Sequence, residues 1–282
     1  MIEIKKHFYN IGNNNINIMM FGDLHYDTNF SNKKLTKIAN KIDSNTDYLF
    51  ISGDLIDNTN IKTDRLITFL NTISNKCQIF ITLGNHDIVK IKGKKHIKDD
   101  KNKIWKELSK INNIFISRDN NYYEDDKIIV YMIELNYNYY YNDNKEENKE
   151  ILLNKLKKDK KYLNNMNNNK VKIAVCHSPI HISDKEITKE LNNFDFIFSG
   201  HTHNGMVPYF SDKLIKNNKG IISPYGKLFP NTVRGIKDLD NTHLIINGGI
   251  TKLSKSSGII KYFNFIYPSS IDNIIINKIK KG

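Results

Sequence analysis

The stretch INIMMFGDLH, residues 16–25, decides the fold. Residues 15–22 (NINIMMFG), rich in β-branched and large apolar side chains, read as a strand that closes on a glycine. An aspartate and a histidine follow within three positions. The same sentence is written again further on. DYLFIS (47–52) leads into GDLID (53–57), and QIFITL (78–83) leads into GNHD (84–87). VKIAVC (171–176) leads into CHSP (176–179), and FDFIFS (194–199) leads into GHTH (200–203). Each apolar run ends in Asp, His or Asn. In open parallel sheets, ligand sites form at the carboxyl ends of the strands, so five such endings predict one convergent site.

Between the strands the period changes. Leu35, Ile38, Ala39 and Ile42 fall at i, i+3, i+4 and i+7, one face of a helix. Leu66, Leu70 and Ile73 repeat the pattern, with Ile67 and Phe69 in support, and Ile104, Leu108 and Ile111 repeat it with Trp105 alongside. A βαβαβ order implies parallel strands joined by right-handed crossovers. IIVYMIEL (128–135) predicts a further strand, and the charged stretch 143–163 predicts a helix with a solvated face. After residue 205 the helical pattern stops. Short β-like runs at 243–248, 258–266 and 272–279 predict a second, antiparallel sheet or the second half of a sandwich. The Tyr-rich segment 137–141 (YNYYY) reads as a surface loop or strand edge; the competing reading is a lip that contacts substrate. No internal repeat is present, and Asn-rich patches at 12–15 and 164–169 read as polar loops.

Composition narrows the class. A chain of 282 residues, 39% of them hydrophobic, carries enough apolar material for a core, which excludes wholesale disorder. Two isolated cysteines, Cys77 and Cys176, are neither a CxxC pair nor a disulfide scaffold, and they fit a reducing compartment. No apolar run approaches the ~20 residues of a membrane span. The N-terminal residues MIEIKKHFYNIGNNN lack the continuous apolar stretch of a secretory signal. The expectation is a cytoplasmic protein, at most peripheral to the inner face of a membrane. Forty-three basic against thirty acidic residues give a formal charge of +13. That charge suits nucleic acid or an anionic membrane, but an Asn-, Lys- and Ile-rich sequence also carries it without any partner.

The polar residues at the strand ends point to metal chemistry. Imidazole and carboxylate together suit Zn, Fe and Mn, and the absence of thiolates argues against a structural zinc finger. A carboxylate can bridge two ions, and Asp54, standing alone between the outer clusters, is the natural bridge. Two ions ~3.5–4 Å apart serve phosphoryl transfer. There is no GxxxxGK[ST] phosphate loop in the chain.

Taken in order, GDLH, GDLID, GNHD, CHSP and GHTH resemble the calcineurin-like metallophosphoesterase superfamily, over residues 16 to about 208. The glycine- and proline-bearing texture that follows (GMVP, VRGI, THLIINGGI) resembles its bacterial single-domain phosphohydrolases, although Asn204 and Met206 stand where those carry Gly and Gln. The resemblance implies a single domain over 1–282. It also implies a four-layer α/β/β/α sandwich of two mixed sheets flanked by helices. It implies two divalent transition-metal ions (Mn2+, Fe2+/Fe3+ or Zn2+). Asp23, His25 and His203 would hold the first, Asn85, His177 and His201 the second, and Asp54 would bridge them. His86 would face the substrate as hydrogen-bond donor and general acid. Asp87 would orient His86 or be structural. Asp57 would be an outer acceptor or a helix cap. The implied reaction is hydrolysis of a phosphoester or pyrophosphate by an activated hydroxide in one in-line displacement. A phosphorylated small molecule or lipid-linked substrate is the expected partner. The alternatives are a nuclease acting on DNA or RNA and a non-catalytic scaffold of the same fold.

Overall fold

The computed structural model describes residues 2–57, 61–92, 95–98, 101–159, 166, 169–211, 214–215, 219–223, 228–253 and 262–279. Fourteen strands and six helices are named among them. The strands of the first sheet are β1 (Ile2–Asn10), β2 (Ile16–Phe21), β3 (Tyr48–Ser52), β4 (Gln78–Thr82), β7 (Ile114–Ile116) and β14 (Ser269–Asn277). Their spatial order is β1-β14-β2-β3-β4-β7. The second sheet is built from β8 (Tyr122–Glu124), β9 (Ile128–Ile133), β10 (Val171–Cys176), β11 (Phe196–Ser199), β12 (Gly235–Leu239) and β13 (Thr242–Ile246). Its order is β12-β13-β11-β10-β9-β8. A small hairpin, β5 (Val89–Lys92) and β6 (Lys95–Lys98), stands apart.

Both sheets are mixed. β2, β3, β4 and β7 pair in parallel, as do β9, β10, β11 and β13, while β14 and β12 run antiparallel to their inner neighbours. The period of two along each inner strand explains the layers. On β2, Ile18 and Met20 face the second sheet, where they join Val130, Met132, Ile173 and Phe198. Met19 and Phe21 face the other way, into a core that includes α1 (Asn32–Lys41) and α2 (Asp64–Ser74). Strands covered on both faces must be apolar throughout, which is why they read as continuous runs rather than alternations. The aromatic rings of Phe50, Phe80 and Phe198 meet between the sheets, Phe50 to Phe198 at 5.1 Å. Helix, sheet, sheet and helix form the four layers expected.

The helices end where their chemistry says. Ser31 caps α1 by accepting from the Lys34 amide, and Asn144 caps α5 (Lys145–Lys158) by accepting from Glu146 and Glu147. Asp184 caps α6 (Lys185–Leu191), the crossover between β10 and β11. α3 (Asn102–Leu108) precedes β7.

Three expectations need correction. YNYYY is not a surface loop or edge. It is the short helix α4 (Tyr137–Tyr141), capped by Asn136, with Tyr139 and Tyr140 buried. The chain after residue 205 does not make a separate sheet, because β12 and β13 extend one sheet and β14 inserts into the other. Of the run at 258–266, residues 262–266 form a 3-10 turn rather than a strand, and 258–261 lie outside the described residues, as do 164–165 and 167–168 of the Asn-rich patch.

Candidate metal centre

The chain leaves β2, β3, β4, β10 and β11 at one edge, and the five motif loops meet there. They follow one another closely: Asp23 N–H donates to Gly53 O at 3.0 Å and His25 N–H to Asp54 O at 2.9 Å. Several of the motif residues take left-handed backbone, with φ of 51° at Asp23, 48° at His25, 52° at Asp54, 68° at His201 and 49° at His203. That conformation is costly for a side chain and characteristic of functional loops. The motif glycines answer to crowding. A Cβ on Gly84 would lie 2.2 Å from an Asp54 carboxylate oxygen, and one on Gly53 would lie 2.3 Å from His177 Nδ1. Glycine lets the loops approach each other where no other residue fits.

Two ligand groups result. In the first, Asp23 Oδ1 lies 4.0 Å from His25 Nε2 and 3.9 Å from His203 Nε2. In the second, His177 Nε2 lies 3.3 Å from Asn85 Oδ1 and 3.2 Å from His201 Nδ1. Asp54 Oδ2 belongs to both, 3.7 Å from His25 Nε2 and 3.3 Å from His177 Nε2. Ligands ~2.1 Å from a common ion stand roughly 3–4 Å from each other. Asp23 Oδ1 and His25 Nε2 are buried and have no hydrogen-bond partner among the described residues. Buried polar atoms do not stay unsatisfied without reason. A metal ion fits both the spacing and the orphaned atoms.

Outer contacts fix the ligands. His177 Nδ1–H donates to Ser52 O at 2.6 Å and His203 Nδ1–H to Thr251 O at 3.0 Å, which leaves each Nε2 bare for an ion. Asp23 Oδ2 accepts from the His201 amide at 3.0 Å, and Asp54 Oδ1 from the His86 amide at 2.8 Å. Asp57 Oδ1 lies 2.9 Å from His86 Nδ1 and 3.5 Å from His25 Nδ1. Asp57 is therefore an acceptor behind the centre and caps no helix among the described residues, since α2 begins at Asp64 behind Thr63. Asp87 does not orient His86. Its carboxylate turns inward to the amides of Gly84 (2.8 Å), Ile56 (3.0 Å) and Leu55 (3.3 Å), tying the second motif to the third. The side chain of His86 stays partly open to solvent.

The electrostatics of the metal-free site follow from crowding. Burial would raise the Asp54 carboxyl, but the charge of His177 and then of His86 holds it well below the usual carboxylate range. Burial would lower His177, and the Asp54 charge overrides it, lifting the imidazole to about 9. His25 is likewise lifted against burial to about 8, by its bond to Asp57 and by the nearby carboxylates. His203 is pushed down to about 4 by burial, and His201 is held well below its ordinary value by burial and the charge of His177. Asp87 is raised to about 6 by burial and by the Asp54 charge.

Three contributors were not visible as such in the sequence. Asn247, in INGG, accepts from the Gly22 and Gly249 amides and donates to Asp272 at 2.6 Å, bracing the Asp23 loop. Lys252 is buried, bonded to the carbonyls of Gly248 and Gly249, and lowered to about 7 by desolvation. On α4, the Tyr140 ring lies 6.1 Å from that of His177 and 5.8 Å from that of His201, and Asn85 Nδ2 donates to the Tyr141 hydroxyl at 3.4 Å.

A four-layer sandwich with Asp, Asn and His gathered at the carboxyl ends of its parallel strands defines a metal-dependent phosphoesterase. Residues 16–205 match the family model of the calcineurin-like phosphoesterases, and the chain belongs to that family. Phosphoester hydrolysis is its general activity. Two solved structures are similar to it. One is a phosphopantetheinyl hydrolase from Mycobacterium tuberculosis, 10% identical, TM-score 0.47, covering 83% of this chain and 90% of its own. The other is a purple acid phosphatase from yellow lupin (Lupinus luteus) seeds, 15% identical, TM-score 0.44, covering 86% of this chain. This chain spans 46% of that second protein's length. No curated protein matches the sequence.

Proposed function

We propose that the protein hydrolyses a phosphorylated small-molecule ester with two transition-metal ions, Mn2+, Fe2+/Fe3+ or Zn2+. Asp23, His25 and His203 hold one ion, Asn85, His177 and His201 the other, and Asp54 both. The single observation that supports this most is Asp54 Oδ2, which lies within 3.7 Å of a ligand nitrogen in each group. When bound, such ions neutralise phosphoryl oxygens and lower the pKa of water. The chain supplies the rest. A water oxygen, having released one proton to bulk solvent, forms the new bond to phosphorus as the bond to the leaving oxygen breaks opposite it. His86 donates its Nε2 proton to the leaving oxygen, and Asp57 holds its Nδ1–H so that Nε2 faces the opening. No covalent intermediate with the protein is required.

Metal analysis tests this reading alongside turnover of an aryl phosphodiester. Two equivalents of metal and hydrolysis that a chelator stops are expected. A fully metallated protein that cleaves no phosphate ester would instead be a scaffold. We further infer contact with an anionic membrane surface from the cytoplasmic side. The charge of +13 and the exposed Tyr209, Phe210, Phe229, Tyr262 and Phe265 support the contact, and the two unpaired cysteines support the compartment. No helix among the described residues is long and apolar enough to cross a membrane.

A further inference from the structure

A sixth strand ends at the edge where the ligands gather. β13 pairs in parallel with β11 and runs into NGGITK (247–252), a glycine-bearing loop that contains no Asp or His. The loop lies along GDLH. Ile250 N–H donates to Gly22 O at 3.0 Å and Thr251 N–H to Asp23 O at 2.8 Å. The contact explains Gly249, since a Cβ there would lie 2.8 Å from the Asp23 Cβ.

These contacts converge on Thr251. Its amide holds the Asp23 carbonyl. Its hydroxyl donates at 2.9 Å to the carbonyl of Leu24, the residue between Asp23 and His25. Its own carbonyl accepts from His203 Nδ1–H at 3.0 Å. One buried residue therefore meets the backbone that carries Asp23 and His25 and the ring of His203, the three members of the first ligand group. The second group has other supports: His177 donates to Ser52 O, and Asn85 to the Tyr141 hydroxyl. Thr251 is itself held from both sides. Ile250 O accepts from Lys34 Nζ of α1 at 3.0 Å and from Ser269 Oγ of β14 at 2.5 Å. The Lys252 ammonium bonds to the carbonyls of Gly248 and Gly249. A partner behind a ligand orients it only if packing and hydrogen bonds fix that partner too.

On the reading that Asp23, His25 and His203 hold an ion, we propose that Thr251 is the positioning residue of that ion and not of the other. Its hydroxyl and amide set the path of the chain from Asp23 to His25, and its carbonyl keeps His203 Nε2 bare. The two ions then depend on different parts of the chain. The first is retained by a loop after β13 that carries no ligand, and the second is independent of it. Removing a partner of this kind costs about 10- to 100-fold in metal affinity.

The test is calorimetric titration of Mn2+ into the full chain with one ligand group disabled at a time. His177→Ala leaves the first group intact, and His203→Ala leaves the second. Thr251→Val removes the hydroxyl and keeps the shape of the side chain. In the His177→Ala background it should weaken Mn2+ binding about 10- to 100-fold, and in the His203→Ala background it should leave binding unchanged. Thr251→Ser keeps the hydroxyl and should restore the affinity in the first background. Thr251→Ala takes the place of the valine variant if valine prevents folding. An equal loss in both backgrounds, as a general loss of structure would give, overturns the assignment. So does full affinity in the first background, or a serine variant as weak as the valine one. If neither background binds Mn2+ with Thr251 in place, the two-ion reading fails and the assignment falls with it.

Discussion

Replacing Asp57 with Asn keeps the shape of the side chain and removes its charge. In the native site its Oδ1 lies 2.9 Å from His86 Nδ1 in a pocket where Asp57 is only 2% exposed. The adjacent His25 and His86 imidazoles outweigh burial and hold its carboxyl far below the usual range, so it is ionised at neutral pH. A hydrogen bond to a charged group is worth about 1.5–3 kcal/mol, and ~1.4 kcal/mol is a factor of ten in rate. The expected loss is therefore about 10- to 100-fold in kcat, in line with other residues that orient a catalytic imidazole. The assay is steady-state hydrolysis of an aryl phosphodiester at saturating metal, with metal content measured on the same samples. Saturation matters because Asp57 also stands 3.5 Å from His25 Nδ1, and its loss weakens one ion. The double variant Asp57→Asn/His86→Ala should be no slower than His86→Ala alone, because the carboxylate acts through the imidazole. An Asp57→Asn rate within twofold of wild type would refute the reasoning. So would a double variant as slow as the product of the two single effects.

Asp87→Asn should behave in the opposite way. Its carboxylate accepts three backbone amides, so the variant should lose about 1–3 kcal/mol of stability by denaturant melt and keep its kcat per folded molecule. Gly84→Ala should lower both metal retention and Tm, since the added methyl meets Asp54 at 2.2 Å; retained metal at wild-type affinity would be the contrary result. The metal-free protein should be most stable near pH 6.5 and lose stability on both sides of it. The raised His25 (about 8) and His177 (about 9) contribute stability that is whole below the unfolded value of 6.5 and lost as pH rises through their folded values. The depressed His203 (about 4) takes stability away as pH falls below 6.5, where only the unfolded chain binds the proton. A flat Tm from pH 5 to 9 would contradict those shifts. Vesicles of phosphatidylcholine with phosphatidylglycerol should sediment the protein and release it in salt, whereas neutral vesicles should not; equal binding to both would remove the electrostatic argument.

Much of this was legible because buried parallel strands announce themselves as apolar runs, and polar residues at their ends have no structural reason to recur. GDLH, GDLID, GNHD, CHSP and GHTH carry both signals at once. The first strand was not legible. IEIKKHFYN lies at the sheet edge, mostly half-exposed, and shows no clean alternation. YNYYY is a single helical turn, too short for a period to show, and its burial comes from neighbours far away in sequence. Asp57 and Asp87 show the limit for individual roles. Asp87 is adjacent to His86 in the chain, yet the carboxylate that reaches the ring comes from the loop after β3. Which of two acids faces an imidazole depends on loop direction, and spacing does not encode it. The close packing behind Gly53 and Gly84 was hidden for the same reason, since a glycine that permits a turn and one that permits a contact look alike.

The most direct test of the account is the crystal structure of metal-loaded protein with anomalous scattering recorded at the metal edge. Two peaks are expected, one contacting Asp23, His25 and His203, the other Asn85, His177 and His201, with the Asp54 carboxylate touching both. A single peak, or an Asp54 that touches only one ion, would contradict it.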